Sequence, residues 1–254
     1  MIVSGLSGGY PGGFFLKDLS FEVEEGKTAA LLGLNGSGKT TILKLICGIL
    51  KAQSGKVFIA GRDLLALPER ERAKLISYVP QQSGIVYDIS VLDVVLMGVS
   101  PHLRLFEMPG DGHIREALIC LEKLGIGHLA YANYQTLSAG LKQMAIIARA
   151  LLQNGKYMIF DEPDCNLDYI NKNRLMKRIR EITKVYRKGS LISMHDPALA
   201  LNFCDRILLV RDGSITEIDL QKEPLGSIEE KLSIVYGNIK IQRCEGKYVV
   251  FLCD

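Results

Sequence analysis

Short apolar runs alternate with amphipathic stretches along most of the chain, and the period of each run predicts its element. Phe14 to Val23 shows near period-2 alternation, which predicts an antiparallel strand pair within residues 2–25. Ala29 to Leu32 is a short, wholly apolar run of the kind that forms a buried strand, and Thr41 to Ile46 opens a helix reaching about Leu50. Lys56 to Ala60 reads as a hairpin strand turned by Gly61-Arg62, Pro68 to Arg72 as a short charged helix, and Ile76 to Val79 as a strand stopped by Pro80. From about Ser83 the texture becomes helical. Ile89 to Met97 is one helix, Ile114, Ala117, Leu118, Leu121 and Leu124 mark a second, and Ser138 caps a third over Ala145 to Leu152.

Strand and helix then alternate. Lys156 to Phe160 ends in Asp161-Glu162; Ile170 to Arg187 is helical; Ser190 to Met194 is a buried strand ending at His195; Asp196-Pro197 starts a helix; and Arg206 to Val210 is a strand closed by the turn Arg211 to Ser214. This alternation predicts an α/β fold with a mainly parallel sheet covered on both sides, an antiparallel β unit at its N-terminal end and a helical subdomain inserted at about 83–153. Residues 1–220 then make one domain. Residues 221–254 are a small extension, with a helix from Ser227 to Tyr236 and strands at Ile239 to Gln242 and Tyr248 to Leu252.

Bulk properties narrow the class. At 254 residues the chain can bury a large core without staples. A net charge of +3, from 31 basic and 28 acidic residues, gives no electrostatic case for nucleic acid. Six cysteines without a C-x-x-C pair read as apolar fillers in a reducing compartment. Met1 to Gly9 has neither the charged nor the apolar region of an export signal. The most apolar long stretch, Gly84 to Ser100, carries Asp88 and Asp93, so the chain is not expected to cross a bilayer alone.

The chemistry starts where the first buried strand ends. Gly33-Leu34-Asn35-Gly36-Ser37-Gly38-Lys39-Thr40 satisfies the phosphate-loop pattern. Its glycines let successive N–H groups curl around an anionic oxygen, Lys39 supplies a point charge, Thr40 offers a hydroxyl to Mg²⁺, and the following helix turns its positive end to the phosphates. Farther on, Gln81 follows a strand, Leu137-Ser138-Ala139-Gly140 opens a helix, and Asp161-Glu162 and His195 end two strands. Taken singly, Ser138 is an ordinary cap, His195 a core histidine and Asp161 a strand-end surface residue. Their joint order is what counts.

With Tyr10 in the loop Gly8-Gly-Tyr-Pro-Gly-Gly13, this constellation resembles the ATPase subunit of ATP-binding cassette transporters over roughly residues 2–217. The resemblance implies that Tyr10 stacks on adenine and that Asn35, Gly36, Ser37, Gly38, Lys39, Thr40 and Thr41 hold the phosphates of ATP. It implies that Gln81, with Gln82 as a possible stand-in, touches Mg²⁺ and the attacking water, and that Thr40 and Asp161 hold the metal. Glu162 is implied as the base, and His195 as the contact to the γ-phosphate. Asp168 belongs to the loop through which two subunits sense each other. Ser138, Ala139 and Gly140 would close over ATP held by a second copy of the chain, giving a homodimer with two nucleotides sandwiched.

Further partners implied are an integral membrane permease and, indirectly, an extracytoplasmic substrate-binding protein, with the chain peripheral on the cytoplasmic face. Val95 to Phe106, with its Pro101-His102-Leu103, and Leu232 to Tyr236 before a two-strand end resemble uptake systems for iron-siderophores, haem and cobalamin. Ala139 and Leu141 stand where the family has glycine and a polar residue, and Cys165-Asn166 replaces a small pair. Were position 139 in a left-handed conformation, its methyl would cost about 1–2 kcal/mol. The competing functions are a cassette ATPase of translation or DNA repair, for which the expected second phosphate loop or coiled coil is missing, and an ATP-binding regulatory module with low turnover.

Overall fold

The computed structural model describes residues 1–165 and 167–253. In chain order the elements are β1 (Ile2–Gly9), β2 (Phe15–Glu22), β3 (Thr28–Leu32), α1 (Lys39–Ile46), β4 (Ser54–Ile59), β5 (Arg62–Asp63), α2 (Glu69–Leu75), β6 (Ile76–Val79), α3 (Val91–Leu96), α4 (Asp111–Lys123), α5 (Ala139–Gln153) and β7 (Tyr157–Asp161). There follow α6 (Tyr169–Val185), β8 (Gly189–Met194), α7 (Pro197–Phe203), β9 (Arg206–Arg211), β10 (Ser214–Asp219), α8 (Leu225–Tyr236), β11 (Ile239–Cys244) and β12 (Lys247–Leu252).

The central sheet runs β10-β9-β3-β8-β7-β6, parallel throughout except for β10, which pairs antiparallel with β9. An antiparallel sheet, β2-β1-β4-β5, forms the second layer, and β11-β12 is a separate hairpin. Why the central strands carry no polar alternation is visible in β3: Ala29 and Leu31 enter one apolar core while Ala30 and Leu32 enter the other. Both faces are covered, so every position must be apolar or small. The first core holds α1 between the two sheets through Ile42, Leu43, Leu45 and Ile46. The second carries the buried residues of α3 to α8 on the opposite face, so the inserted helices share the core of the sheet.

Several element starts differ from the sequence expectation, and at two helices the local reason is plain. A capping box sets the start of α3: Ser90 Oγ accepts from Asp93 N at 3.0 Å and Ser90 N donates to Asp93 Oδ2 at 3.3 Å, so the helix begins at Val91 rather than Ile89. Helix α5 begins directly after Ser138 rather than at Ala145, because its first two turns pack only partly against the core and lack the apolar periodicity that marks its second half.

Candidate active site

Parallel pairing brings the C-terminal ends of β3, β6, β7 and β8 to one edge of the sheet, where open α/β sheets hold ligands. Leu32 is in register with Met194, Val79 with Phe160, and Asp161 with Ser193. The loops that leave these ends carry Gly33 to Lys39, Gln81, Glu162 and His195.

In the phosphate loop, Gly36 (φ 80°) and Gly38 (φ 96°) occupy the left-handed region, as a loop with inward N–H groups requires. Gly33 does not. Its constraint is space, since a Cβ there would lie 2.8 Å from both Ser37 Oγ and the Val210 carbonyl oxygen. A methyl on Gly38 would run into the ring of Phe14, which therefore packs directly on the loop. Helix α1 starts at Gly38 with no side-chain cap, which leaves its first-turn N–H groups to a ligand. Lys39 is buried, donates to the carbonyls of Gly33 and Leu34 at 3.0 Å each, and pairs with Glu162 at 3.4 Å.

Asp161 is 3% exposed and its carboxylate is fully engaged. Oδ1 accepts from Thr40 Oγ1 at 2.9 Å and Ser193 Oγ at 2.8 Å, and Oδ2 accepts from Tyr78 at 3.0 Å. Burial and the adjacent Asp161 charge push the Tyr78 phenol far up, so it remains a donor. Glu162 has φ 43°, and its N–H donates to Ser193 Oγ at 2.8 Å. Gln81 Nε2 donates to Glu162 Oε2 at 3.3 Å and lies 3.4 Å from Cys165 Sγ, whereas Gln82 makes no contact of this kind among the described residues. The Thr40 hydroxyl and the Asp161 carboxylate thus meet at the first turn of α1, while the Gln81 amide reaches the next residue along, Glu162. They are hard oxygen donors suited to Mg²⁺, although no three His, Cys, Asp or Glu side chains cluster as a metal site among the described residues.

The remaining predicted residues form no hydrogen bond to this network among the described residues. Tyr10 is 44% exposed in the turn closed by its N–H to the Phe14 carbonyl at 3.2 Å. His195 is exposed at the end of β8, and its carbonyl accepts from Tyr236 at 3.0 Å. Ser138 is exposed, accepts from Leu141 N at a long 3.5 Å and caps α5. Ala139 has no positive φ, so its methyl is unstrained, and a Cβ on Gly140 would make only an ordinary 3.5 Å contact with Leu167. Asp168 caps α6, accepting from Asn171 N at 2.8 Å and Nδ2 at 2.7 Å; the backbone bond holds its carboxyl below the usual aspartate range. Asn166 lies outside the described residues.

Sequence reasoning missed Ser193, Tyr78 and Phe14. The first two carried a readable signal: a hydroxyl inside an otherwise apolar strand must find a partner once buried.

A profile of the ABC transporter family matches residues 16–165. A Helicobacter pylori protein named for iron chelatin transport ATP-binding is 36% identical over 92% of this chain and 91% of its own length. A hemin import ATP-binding protein of Gloeobacter violaceus is 35% identical over 80% of this chain and 76% of its own. Among solved structures, a metal-chelate type ABC transporter in an inward-facing conformation superposes with a TM-score of 0.83 at 25% identity, covering 98% of this chain and 94% of that one. A dimeric ATP-binding cassette with ADP and Pi superposes at 0.74 with 26% identity, covering 86% and 98%.

Proposed function

The chain belongs to the ABC transporter family of ATP-hydrolysing cassettes, and from that premise we propose that it powers an importer of metal chelates of the iron-siderophore, haem or cobalamin type. Names of relatives support the cargo class. The observation that carries coupling to a membrane protein is the exposure of large apolar side chains in the inserted helical region: Val86 77%, Tyr87 73%, Leu105 83%, Phe106 94% and Met108 81%. A chain with no need of a partner rarely leaves so many uncovered. Among the described residues no helix is long and apolar enough to cross a membrane, so a permease would have to supply the channel.

In the proposed cycle the phosphate-loop N–H groups, Lys39, Thr40 and Thr41 bind the triphosphate, with Asn35, Gly36, Ser37 and Gly38 forming the cradle, and Tyr10 stacks on the base. Thr40, Asp161 and Gln81 would hold Mg²⁺, which when bound neutralises charge on the phosphate oxygens. Ser193 and Tyr78 orient Asp161 for this work, and Ser193 also fixes the Glu162 backbone. Glu162 takes a proton from the water that attacks the γ-phosphorus. The bond to the bridging oxygen breaks, ADP leaves with that oxygen, and Gln81 and His195 position the water and the γ-phosphate.

Ser138, Ala139 and Gly140 of one copy would close over ATP held by the other, and closure would pull on the permease. The exposure of Ser138 supports this reading, since a serine buried in its own subunit could not reach a neighbour. The test is purification of the tagged chain in detergent, followed by uptake of ferric siderophore, haem and cobalamin into vesicles holding the complex. Recovery of an integral membrane protein and ATP-dependent uptake of one cargo are expected. Recovery of the chain without a membrane partner would overturn the proposal.

A further inference from the structure

The C-terminal extension is built around the loop that carries His195. Helix α8 is anchored in the main core by Ile228 and Leu232, which are 2% and 0% exposed, and by Lys231, which reaches Glu223 at 2.7 Å and the Glu217 carbonyl at 3.1 Å. From this anchored helix, the last residue, Tyr236, donates its hydroxyl to the His195 carbonyl at 3.0 Å. The acceptor is a carbonyl, so the phenol must be the donor. Burial first and the Asp196 charge second push that phenol far above its ordinary value, which keeps the proton in place.

A second attachment lies at the other end of the same stretch. Asp196 caps α7, and near the end of that helix the Asn202 side chain pairs with the Tyr248 backbone of β12 as another strand would, donating at 2.8 Å and accepting at 2.9 Å. The extension thus grips residues 195–202 at both ends. It also reaches the phosphate loop, because Ile234 and Val235 form one wall of a cleft of about 440 Å³ whose other wall includes Leu34, Asn35 and Gly36.

We propose that Tyr236 is a positioning residue for hydrolysis: its hydrogen bond to the His195 backbone sets where the histidine ring stands at the strand end, so the extension governs turnover rather than nucleotide binding. A backbone carbonyl held by a hydroxyl on a core-anchored helix cannot rotate freely, and the ring it carries is restrained with it. The inference rests on the reading of His195 as the γ-phosphate contact.

The test is a double-mutant cycle in the full chain, with kcat and KM for ATP measured for His195→Ala, Tyr236→Phe and the pair. Tyr236→Phe keeps the ring and its packing and removes one oxygen, and should lower kcat about 2- to 12-fold, the span of one net hydrogen bond, with KM left nearly unchanged. In the His195→Ala background the same change should cost nothing further, because its effect passes through the missing ring. Asn202→Ala, which releases the second attachment, should lower kcat in the same way, whereas Lys231→Ala, which loosens only the anchor, should shift Tm and leave kcat alone. An unchanged kcat for Tyr236→Phe, or a loss that multiplies with that of His195→Ala, overturns the proposal while leaving His195 in its role. A His195→Ala enzyme of full activity overturns both.

Discussion

The two helix starts α1 and α5 share a chemistry and differ in their surroundings. Each helix start turns first-turn N–H groups and a positive dipole end outward, a chemistry that suits an anion. At α1 the cap is a glycine with φ 96°, the first helical residue is a buried lysine, and a carboxylate network from β7 and β8 stands beside it. At α5 the cap is an exposed serine holding its own backbone at 3.5 Å, and none of the predicted metal or base residues is bonded to it. One start has a buried lysine, a threonine hydroxyl and a carboxylate gathered beside it within its own subunit. On the proposed reading the other is half of a site, which a second copy would complete. Helix α6 sharpens the point: its start is already occupied by the Asp168 carboxylate, and it has little left to offer an anion.

The largest effect that probes this contrast separates the chemistry from the binding at α1. Glu162→Gln should cut phosphate release about 10²- to 10⁴-fold while ATP still binds, measured by single-turnover hydrolysis and nucleotide titration. Comparable hydrolysis by this variant would remove Glu162 as the base. Next, Ser138→Arg and Lys39→Ala should each be inactive alone. Mixed in equal amounts they should recover about a quarter of the normal rate, because half of randomly paired dimers hold one intact composite site. No recovery would mean that α5 does not complete a neighbour's pocket.

A smaller effect is expected at the residue that departs from the family pattern. Since Ala139 is unstrained, Ala139→Gly should change turnover less than about twofold and lower Tm slightly, as glycine does near a helix start. A large gain in rate would show that the methyl obstructs the neighbour's γ-phosphate. The smallest effect concerns α6. Asp168→Asn should keep the cap and Asp168→Ala should lose it, with a lower Tm for the alanine variant only. Because the folded carboxyl sits below the usual value of 3.8, its contribution is full above that pH and is lost as pH falls through the depressed value. The Tm gap between wild type and Asp168→Ala should therefore close in acid.

Sequence patterning exposed the strand-loop-helix at Gly33 and the apolar strand that ends in Asp161-Glu162, because both are local and their periods are short. It also read the two-sided burial of the sheet from the alternation of strands with helices along the second half of the chain. What it missed depends on pairing between distant segments. Ser193 matters because β8 lies in register with β7, and Tyr78 because β6 lies on the other side. Tyr236 is likewise illegible from its own segment, since only the packing of its helix brings it to the end of β8. Gly33 was read correctly as necessary and for the wrong reason, since crowding by Ser37 and Val210 cannot be inferred from a loop motif.

Glu162 holds its carboxylate beside Lys39 with a backbone angle that a side-chain-bearing residue adopts at a cost of about 1–2 kcal/mol. Folding alone would favour glycine there. Removing the side chain there would ease the backbone and abolish the carboxylate at once, so at this one position the demands of the fold and of the chemistry pull in opposite directions.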